Sequence, residues 1–415
     1  MVLAAEPLYV LVDTAVVGHL GRVPLAALAV GAVVMTLTAW FGVVIAYGTT
    51  GRAARRFGAG SRADAVAEGV QASWLALAVG VPLLVIFEVF AEPIAGTLAG
   101  SAEVAGPAAG WLRIAALGIP FLLLATAGNG WLRGVQDTRR PPRYILGANL
   151  LSAALAPLLV YGAGLGLEGS AVANATAQIL SGLLFVRALV AERVPLRPRP
   201  TLIRAQLVVG RDLVLRGAAF QACFLSATAV AGRFGGAVLA AHQIALQLWM
   251  FCALVLDAIA IAAQSLIGAA LGGSDEVAAR ALARRVGLIG LGLGAAFGVV
   301  ILSLAGVLPR LFTGDPEVYR QAMRAWPWFV VMQPVGGVVF ALDGVLIGAG
   351  DLRFLRDLTI GAALGGFLPM VWLAYGLRLG LSGIWAGLTL FVLIRFVAMV
   401  ARVRSGRWAV VGAVR

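Results

Sequence analysis

The segment TAVVGHLGRVPLAALAV at residues 14–30 has a counterpart in TAVAGRFGGAVLAAHQI at residues 228–244. The two align without a gap, in a register that places Thr14 on Thr228. The same register lays NGWLRGVQDTR (129–139) on DGVLIGAGDLR (343–353) and Pro120 on Pro334. One register held over most of each half is the signature of a duplicated architecture. The chain is therefore predicted to contain two copies of one structural unit.

The composition places both copies in a membrane. Of the 415 residues, 61% are hydrophobic and 12% are charged, and the mean hydropathy is +0.96. In soluble domains about a quarter of the residues are charged. Apolar stretches long enough to cross the hydrocarbon core as helices recur from end to end. We predict an all-α integral membrane protein with twelve transmembrane helices, six in each repeat.

The repeat also predicts the domain organisation. Because six spans is an even number, both copies enter the membrane from the same side, and the repeats are predicted to be parallel. Met1 aligns with Leu215, inside the first helix of the second copy. The first helix is therefore expected to be truncated at its N-terminus. The predicted parts are an N-terminal lobe (1–191), a basic, proline-rich cytoplasmic linker (192–211), a C-terminal lobe (212–403) and a cytoplasmic tail (404–415).

The net charge of +13 reflects membrane topology rather than nucleic-acid binding. Most arginines fall in the segments on one side of the predicted spans, including the clusters at 52–62, 133–143 and 187–211. Such an excess marks the cytoplasmic side. Both termini are therefore predicted to be cytoplasmic, in a multi-pass protein of a bacterial plasma (inner) membrane.

Polar residues that differ between the two copies are candidates for specialised function. Glu6, Tyr9 and Asp13 lie at positions i, i+3 and i+7, on one face of the first helix. Their counterparts in the second copy are Phe220, Cys223 and Ala227. A carboxylate inside a membrane is costly, which by default suggests a functional role. The alternative for Asp13 is a structural hydrogen bond to a neighbouring helix.

Amides on the fifth and sixth spans follow the same pattern. Asn149, Asn174 and Gln178 align with Ala363, Leu388 and Val392. A carboxylate in a low-dielectric interior requires a bound proton or a cation beside it. Amide oxygens from Asn149 and Asn174 could ligate sodium or share a proton network with Asp13. The N-terminal lobe is therefore the predicted site of cation coupling, and Gln178 is a candidate for the substrate cavity along with Glu6.

The C-terminal copy retains other polar groups. Asp257 lies within an apolar span with Gln264 on the same helical face, and Asp343 replaces Asn129 of the first copy. Asn129, Asp257, Gln264 and Asp343 are further cavity candidates. Acids that face a central cleft would attract a cationic substrate. An internal ion pair with Arg216 is the alternative for both aspartates.

No catalytic or metal site is predicted from the sequence. The two histidines, His19 and His242, are isolated, and Cys223 and Cys252 have no metal-ligand spacing. An intramembrane enzyme would need a convergent cluster of acid, base, nucleophile or metal ligands, which the sequence does not contain. No cofactor is expected apart from the coupling ion.

Four segments resemble the multidrug and toxic compound extrusion (MATE) transporters, in particular their DinF-like branch. They are EPLYVLVDTAVVGHLG (6–21), NGWLRGVQDTR (129–139), AAHQIALQLW (240–249) and DAIAIAAQSLIGAALG (257–272). The resemblance runs over essentially the whole chain. It implies a two-lobed exporter that uses inward flow of protons or sodium to expel organic, cationic or amphipathic compounds by alternating access.

The resemblance also assigns roles to particular residues. It implies that Asp13 is the coupling acid, with Tyr9, Asn149 and Asn174 in the same network. Some relatives carry a second acid where this chain has Ala153, which favours protons over sodium here. The expected partners are a small organic molecule and the lipid bilayer, with no nucleic acid and no obligate protein partner. The alternative is a lipid-linked oligosaccharide flippase of the same superfamily, which would have a strongly cationic cavity; only Arg113, Arg216 and Arg395 are mid-span in the sequence.

Overall fold

The computed structural model describes residues 2–414, with side chains from residue 10 onward. The side chains of Glu6 and Tyr9, and the question of Met1 as a start, lie outside the described residues. The chain divides into two compact units, Met1–Gly210 and Arg211–Arg415. In the described residues all regular secondary structure is helical.

The N-terminal unit contains seven helices and the start of an eighth. They are α1 (Val2–Gly18), α2 (Arg22–Gly58), α3 (Arg62–Ala99), α4 (Ala102–Ala116), α5 (Ile119–Gly134), α6 (Arg140–Pro157), α7 (Gly166–Ala191) and α8 (Pro200–Arg233). A π-helical segment, Leu158–Gly162, continues α6. Helix α1 packs chiefly against α6, and the other helices of this unit pack mainly against their neighbours in sequence and the helices one span further on, as in a bundle.

The C-terminal unit continues with helices of similar length. They are α9 (Gly236–Gly272), α10 (Glu276–Ser303), α11 (Leu308–Phe312), α12 (Pro316–Gly348), α13 (Leu352–Ala362), α14 (Leu368–Gly376) and α15 (Gly380–Arg404). A π-helical segment, Ala363–Phe367, joins α13 and α14 into one span.

The helices account for the twelve predicted spans. Ten helical segments of the described chain are long and apolar enough to cross a membrane, and α4 with α5 forms an eleventh, bent by 48°. The 17-residue α1 is shorter than these segments and lies at the position of the remaining predicted span, the first. The predicted all-α fold is confirmed.

Helix boundaries recur in the register found in the sequence. Helix α2 aligns with α9 at both ends, and the first residue of α7 aligns with the first residue of α15. The residues that precede α2 and α9, Gly21 and Gly235, have φ values of 118° and 108°. Glycine adopts this region without the Cβ penalty of other residues, so the two glycines allow the same sharp entry into each helix.

The fourth span of each copy differs. In the N-terminal unit it breaks between α4 and α5, at Leu117 and Gly118, whereas its counterpart α12 is a single helix. Pro120 and its counterpart Pro334 are present in both. The position of Gly118 is occupied by Met332 in the second copy, and a Cβ at Gly118 would lie 2.4 Å from the Gln178 Oε1 atom. Close packing against Gln178, rather than proline alone, accompanies the break.

The predicted linker, 192–211, is only partly irregular, because a helix begins inside it. Residues 194–199 lack regular structure, but α8 begins at Pro200. Proline is well suited to the first position of a helix, where its missing N–H is not needed. The first turns of α8 also bind α3, because Gln206 Nε2 donates to the backbone oxygen of Glu68 at 2.8 Å.

Candidate functional site

Asp13 lies in a buried site between α1 and its neighbours. Helix α1 packs against α6 and also contacts α2 and α7. The Asp13 residue is only 4% exposed. The hydroxyl of Ser170, a fully buried residue on α7, lies within hydrogen-bonding reach of its carboxylate. The acid that the sequence marked as costly is therefore enclosed by the protein.

Trp111 on α4 completes the wall of this site. Its indole Nε1 donates to Ser170 Oγ at 3.3 Å, so the ring is connected to Asp13 through the serine. A Cβ at Gly31, on α2, would lie 2.2 Å from Trp111 Cε3. The helix α2 thus approaches the ring as closely as a glycine allows. Four helices, α1, α2, α4 and α7, contribute to the site.

One oxygen of the Asp13 carboxylate lacks a hydrogen bond within the part of the chain whose side chains are described. Its Oδ1 atom is buried and accepts no hydrogen bond from any described atom of the chain. Burying an unpaired charged oxygen is costly, so this atom is suited to a bound proton or a small cation. Nearby, the Tyr161 hydroxyl donates to the backbone oxygen of Val16 and fastens α1 to the π-helical segment after α6.

Sequence reasoning missed Ser170 and Trp111. The comparison of the copies contains the signal, since their counterparts are Ile384 and Ala325. Both side chains of the first copy can form hydrogen bonds, and the second copy has aliphatic residues in their place. Serine and tryptophan are common structural residues in membrane helices, so only their contact with Asp13 distinguishes them.

Two of the predicted amides are hydrogen-bonded to each other. On α7, Gln178 Nε2 donates to Asn174 Oδ1 at 2.6 Å. Asn149 is half-buried on α6 and makes no hydrogen bond to Asp13 within the described chain. Asn129 on α5 is buried, and its Oδ1 accepts no hydrogen bond from the described atoms. The roles of Asn149 and Asn174 in coupling stay predictions.

In the C-terminal unit, Asp343 forms ion pairs. Its Oδ1 binds Arg395 Nη2 at 3.0 Å and its Oδ2 binds Arg216. Of the two alternatives left open by the sequence, the structure shows the ion pair, with a second arginine that sequence reasoning did not assign. Gln264 is buried and Asp257 half-buried on α9. Among the described residues, no group of three or more His, Cys, Asp and Glu could hold a metal ion.

A duplicated helical bundle with ionisable groups buried in its spans is typical of secondary membrane transporters. A family model, MatE, matches residues 1–158 and 213–372, which together are more than half of the chain. The chain belongs to the MATE family of multidrug and toxic compound efflux transporters.

Relatives and solved structures agree with this membership. Protein DETOXIFICATION 44, chloroplastic, of Arabidopsis thaliana is 32% identical over 98% of this chain and 81% of its own length. DNA damage-inducible protein F of Escherichia coli (strain K12) is 30% identical over 97% of this chain and 90% of its own. A crystal structure of MATE in the bent conformation has a TM-score of 0.88 at 22% identity, covering 98% of this chain and 92% of that one.

Proposed function

We propose that this protein is a proton-coupled antiporter that exports amphipathic organic compounds by alternating access. Protonation of Asp13 shifts the equilibrium between the substrate-bound and substrate-free arrangements. Proton and substrate then change each other's affinity by the same factor, as linkage requires. The protein acts as a multi-pass protein of a bacterial plasma membrane, with both termini in the cytoplasm and without an obligate protein partner.

The observation that carries this proposal is the unpartnered Oδ1 atom of Asp13, buried inside a membrane span. A structural aspartate would use both oxygens in hydrogen bonds, because buried polar groups rarely stay unsatisfied. A coupling aspartate must instead keep an oxygen available for the ion. The Ser170 hydroxyl holds the carboxylate in place while Oδ1 stays free.

A proton fits this site better than sodium. Sodium is a hard cation that needs several oxygen ligands at once. Asn149 does not bond Asp13, and Asn174 Oδ1 already accepts a hydrogen bond from Gln178. A proton needs only the Oδ1 atom of Asp13, and this supports proton coupling over the sodium alternative.

The test is export from proteoliposomes with an imposed pH gradient, read with ethidium and with anilinonaphthalenesulfonate as fluorescent probes. Asp13→Asn removes the titrating group and is expected to abolish the dependence of transport on the pH gradient. The matched control is Glu103→Gln, which neutralises an exposed acid at the start of α4. If Asp13→Asn moves both probes as the parent does, with the same pH dependence, the role of Asp13 is wrong.

The coupling ion is tested in the same vesicles. Replacing the pH gradient by a sodium gradient at constant pH is expected to give no export. Sodium-driven export that is lost in Asp13→Asn would show that Asp13 couples export to sodium and that the assignment to protons is wrong.

A further inference from the structure

Three charged side chains meet inside the C-terminal unit. Arg216 on α8 and Arg395 on α15 bind the two oxygens of one carboxylate, Asp343 on α12. Arginine does not lose its charge in proteins. The group of three therefore carries a net charge of +1.

This positive group is buried and incompletely paired. Arg216 is 8% exposed and Arg395 is 5% exposed. The Nε atom of each guanidinium is buried and donates no hydrogen bond to any described atom. Leaving a buried charge uncompensated is strongly unfavourable, and so is leaving its N–H donors without hydrogen-bond acceptors. The two Nε donors and the excess charge call for an anionic group.

The surroundings are aromatic. The Phe220 ring lies 5.5 Å from the Arg216 guanidinium and 4.9 Å from that of Arg395, and Phe391 lies 5.6 Å from Arg395. Ring faces attract cations, but they accept only weak hydrogen bonds from an N–H and carry no negative charge. Phe220 is only half-buried, so part of its ring is an apolar surface directly beside the charge. Phe391 packs edge-on against Phe220 and Phe367, and both Phe391 and Phe367 are buried.

A purely structural ion cluster explains these charges less well. The counterparts of Arg216, Asp343 and Arg395 in the first copy are Val2, Asn129 and Ser181. Helix bounds recur between the copies without those charges, so the six-helix unit does not require them. One arginine would also neutralise Asp343, and the second creates the excess charge.

We propose that the C-terminal unit binds the anionic group of an amphipathic organic anion, a carboxylate or sulfonate attached to an apolar or aromatic body. Arg216 and Arg395 bind the anionic group, and Phe220 contacts the body. That this ligand is an exported substrate rests on the proposed export function, whereas its binding does not. At Asp343 this anion site stands in place of the cationic substrate expected from Asp257 and Asp343.

The test is isothermal titration of the whole protein in a non-ionic maltoside detergent with three probes of one shape. Naphthoate is the anion, naphthylmethylammonium the cation and naphthalenemethanol the neutral compound. Naphthoate is expected to bind at least about tenfold more tightly than the other two, since charge-assisted pairs are the strong ones. Equal affinity for naphthoate and the alcohol would overturn the proposal, and this comparison requires no variant.

Variants assign the binding to these side chains. Arg395→Gln is expected to weaken naphthoate binding about tenfold or more, and Arg395→Lys less, because lysine keeps the charge and loses the planar fork. The matched control is Arg404→Gln, an exposed arginine at the end of the same helix. Asp343→Asn frees both guanidinium groups and is expected to tighten naphthoate binding. Unchanged affinity in Arg395→Gln and Asp343→Asn would refute the assignment.

A lipid headgroup offers the same chemistry as an exported anion. Phosphatidylglycerol added to the micelles distinguishes the two sources. If it displaces naphthoate, the site belongs to a lipid and the substrate assignment is wrong. If naphthoate binding is unaffected, the assignment is supported.

The failure of this inference can be told apart from failure of the proposed function. If naphthoate binds in a manner that depends on Arg395 but is exported equally by the parent and Asp13→Asn, proton coupling through Asp13 fails and the anion site stands. If ethidium export depends on Asp13 but naphthoate does not bind, the anion site alone fails.

Discussion

A single methyl group placed at Gly31 is expected to disturb the Asp13 site. A Cβ built there would lie 2.2 Å from Trp111 Cε3 and 2.4 Å from Cζ3. Carbon atoms make favourable contact at about 3.5–4.0 Å, so the ring would have to retreat by about 1.3 Å or more. Trp111 is 2% exposed and packs in a cluster with Val17, Leu28 and Ala171. The ring has no open space to enter.

Two consequences follow from Gly31→Ala. Overpacking of this kind costs about 1–3 kcal/mol of stability. The hydrogen bond from Trp111 Nε1 to Ser170 Oγ is already 3.3 Å long, and displacement of the ring would break it. Ser170 would then be free to turn away from Asp13. We expect a lower melting temperature together with a changed pH dependence of export.

The measurements are thermal unfolding of the purified protein in detergent and export from proteoliposomes over a range of pH. Gly96→Ala is the matched control, because Gly96 is exposed on α3 and a Cβ there has no atom within 4 Å. The reasoning is refuted if Gly31→Ala has the same melting temperature as Gly96→Ala and the same pH profile of export as the parent.

Two further predictions concern ion pairs of the N-terminal unit. Glu68 is fully buried and accepts hydrogen bonds from Arg52 at 2.8 and 2.9 Å. Glu68→Gln is expected to destabilise by about 3–5 kcal/mol because it leaves the arginine charges unpaired, and a melting temperature equal to that of Glu103→Gln would contradict this. The Arg62 guanidinium hydrogen-bonds Glu192 and holds the pKa of that carboxyl below its ordinary value. The pair therefore stabilises the fold above that ordinary value and loses the effect as pH falls through the lowered pKa. Glu192→Gln should cost up to about 1 kcal/mol at neutral pH, with the difference from the parent vanishing in urea unfolding at acid pH; a cost independent of pH would contradict the assignment.

The sequence predicted the architecture well because hydropathy and repetition act over short stretches of chain. The twelve spans, the duplication and the glycines that enter α2 and α9 are all readable from local composition and from the register that aligns the two copies. Asp13 was identifiable for the same reason, since a carboxylate in an apolar span is conspicuous wherever the helix packs. Its partners Ser170 and Trp111 were not, because they are ordinary residues until α7 and α4 bring them to the acid.

Tertiary structure decided what depends on which helix faces meet. Pro120 and Pro334 occupy equivalent positions, yet only the first copy has a break there, where Gly118 lets Gln178 approach. The helix α8 begins at Pro200, inside a segment whose arginines and prolines had suggested a linker.

The sequence allowed Asp343 either to face a cleft or to pair with Arg216. The contact between α8 and α12 resolved this choice in favour of Arg216, and α15 adds Arg395 to the same carboxylate, which changes the sign of the local charge. Hydropathy places a residue along the membrane normal, but it does not specify the direction in which its side chain points or the charge it meets there.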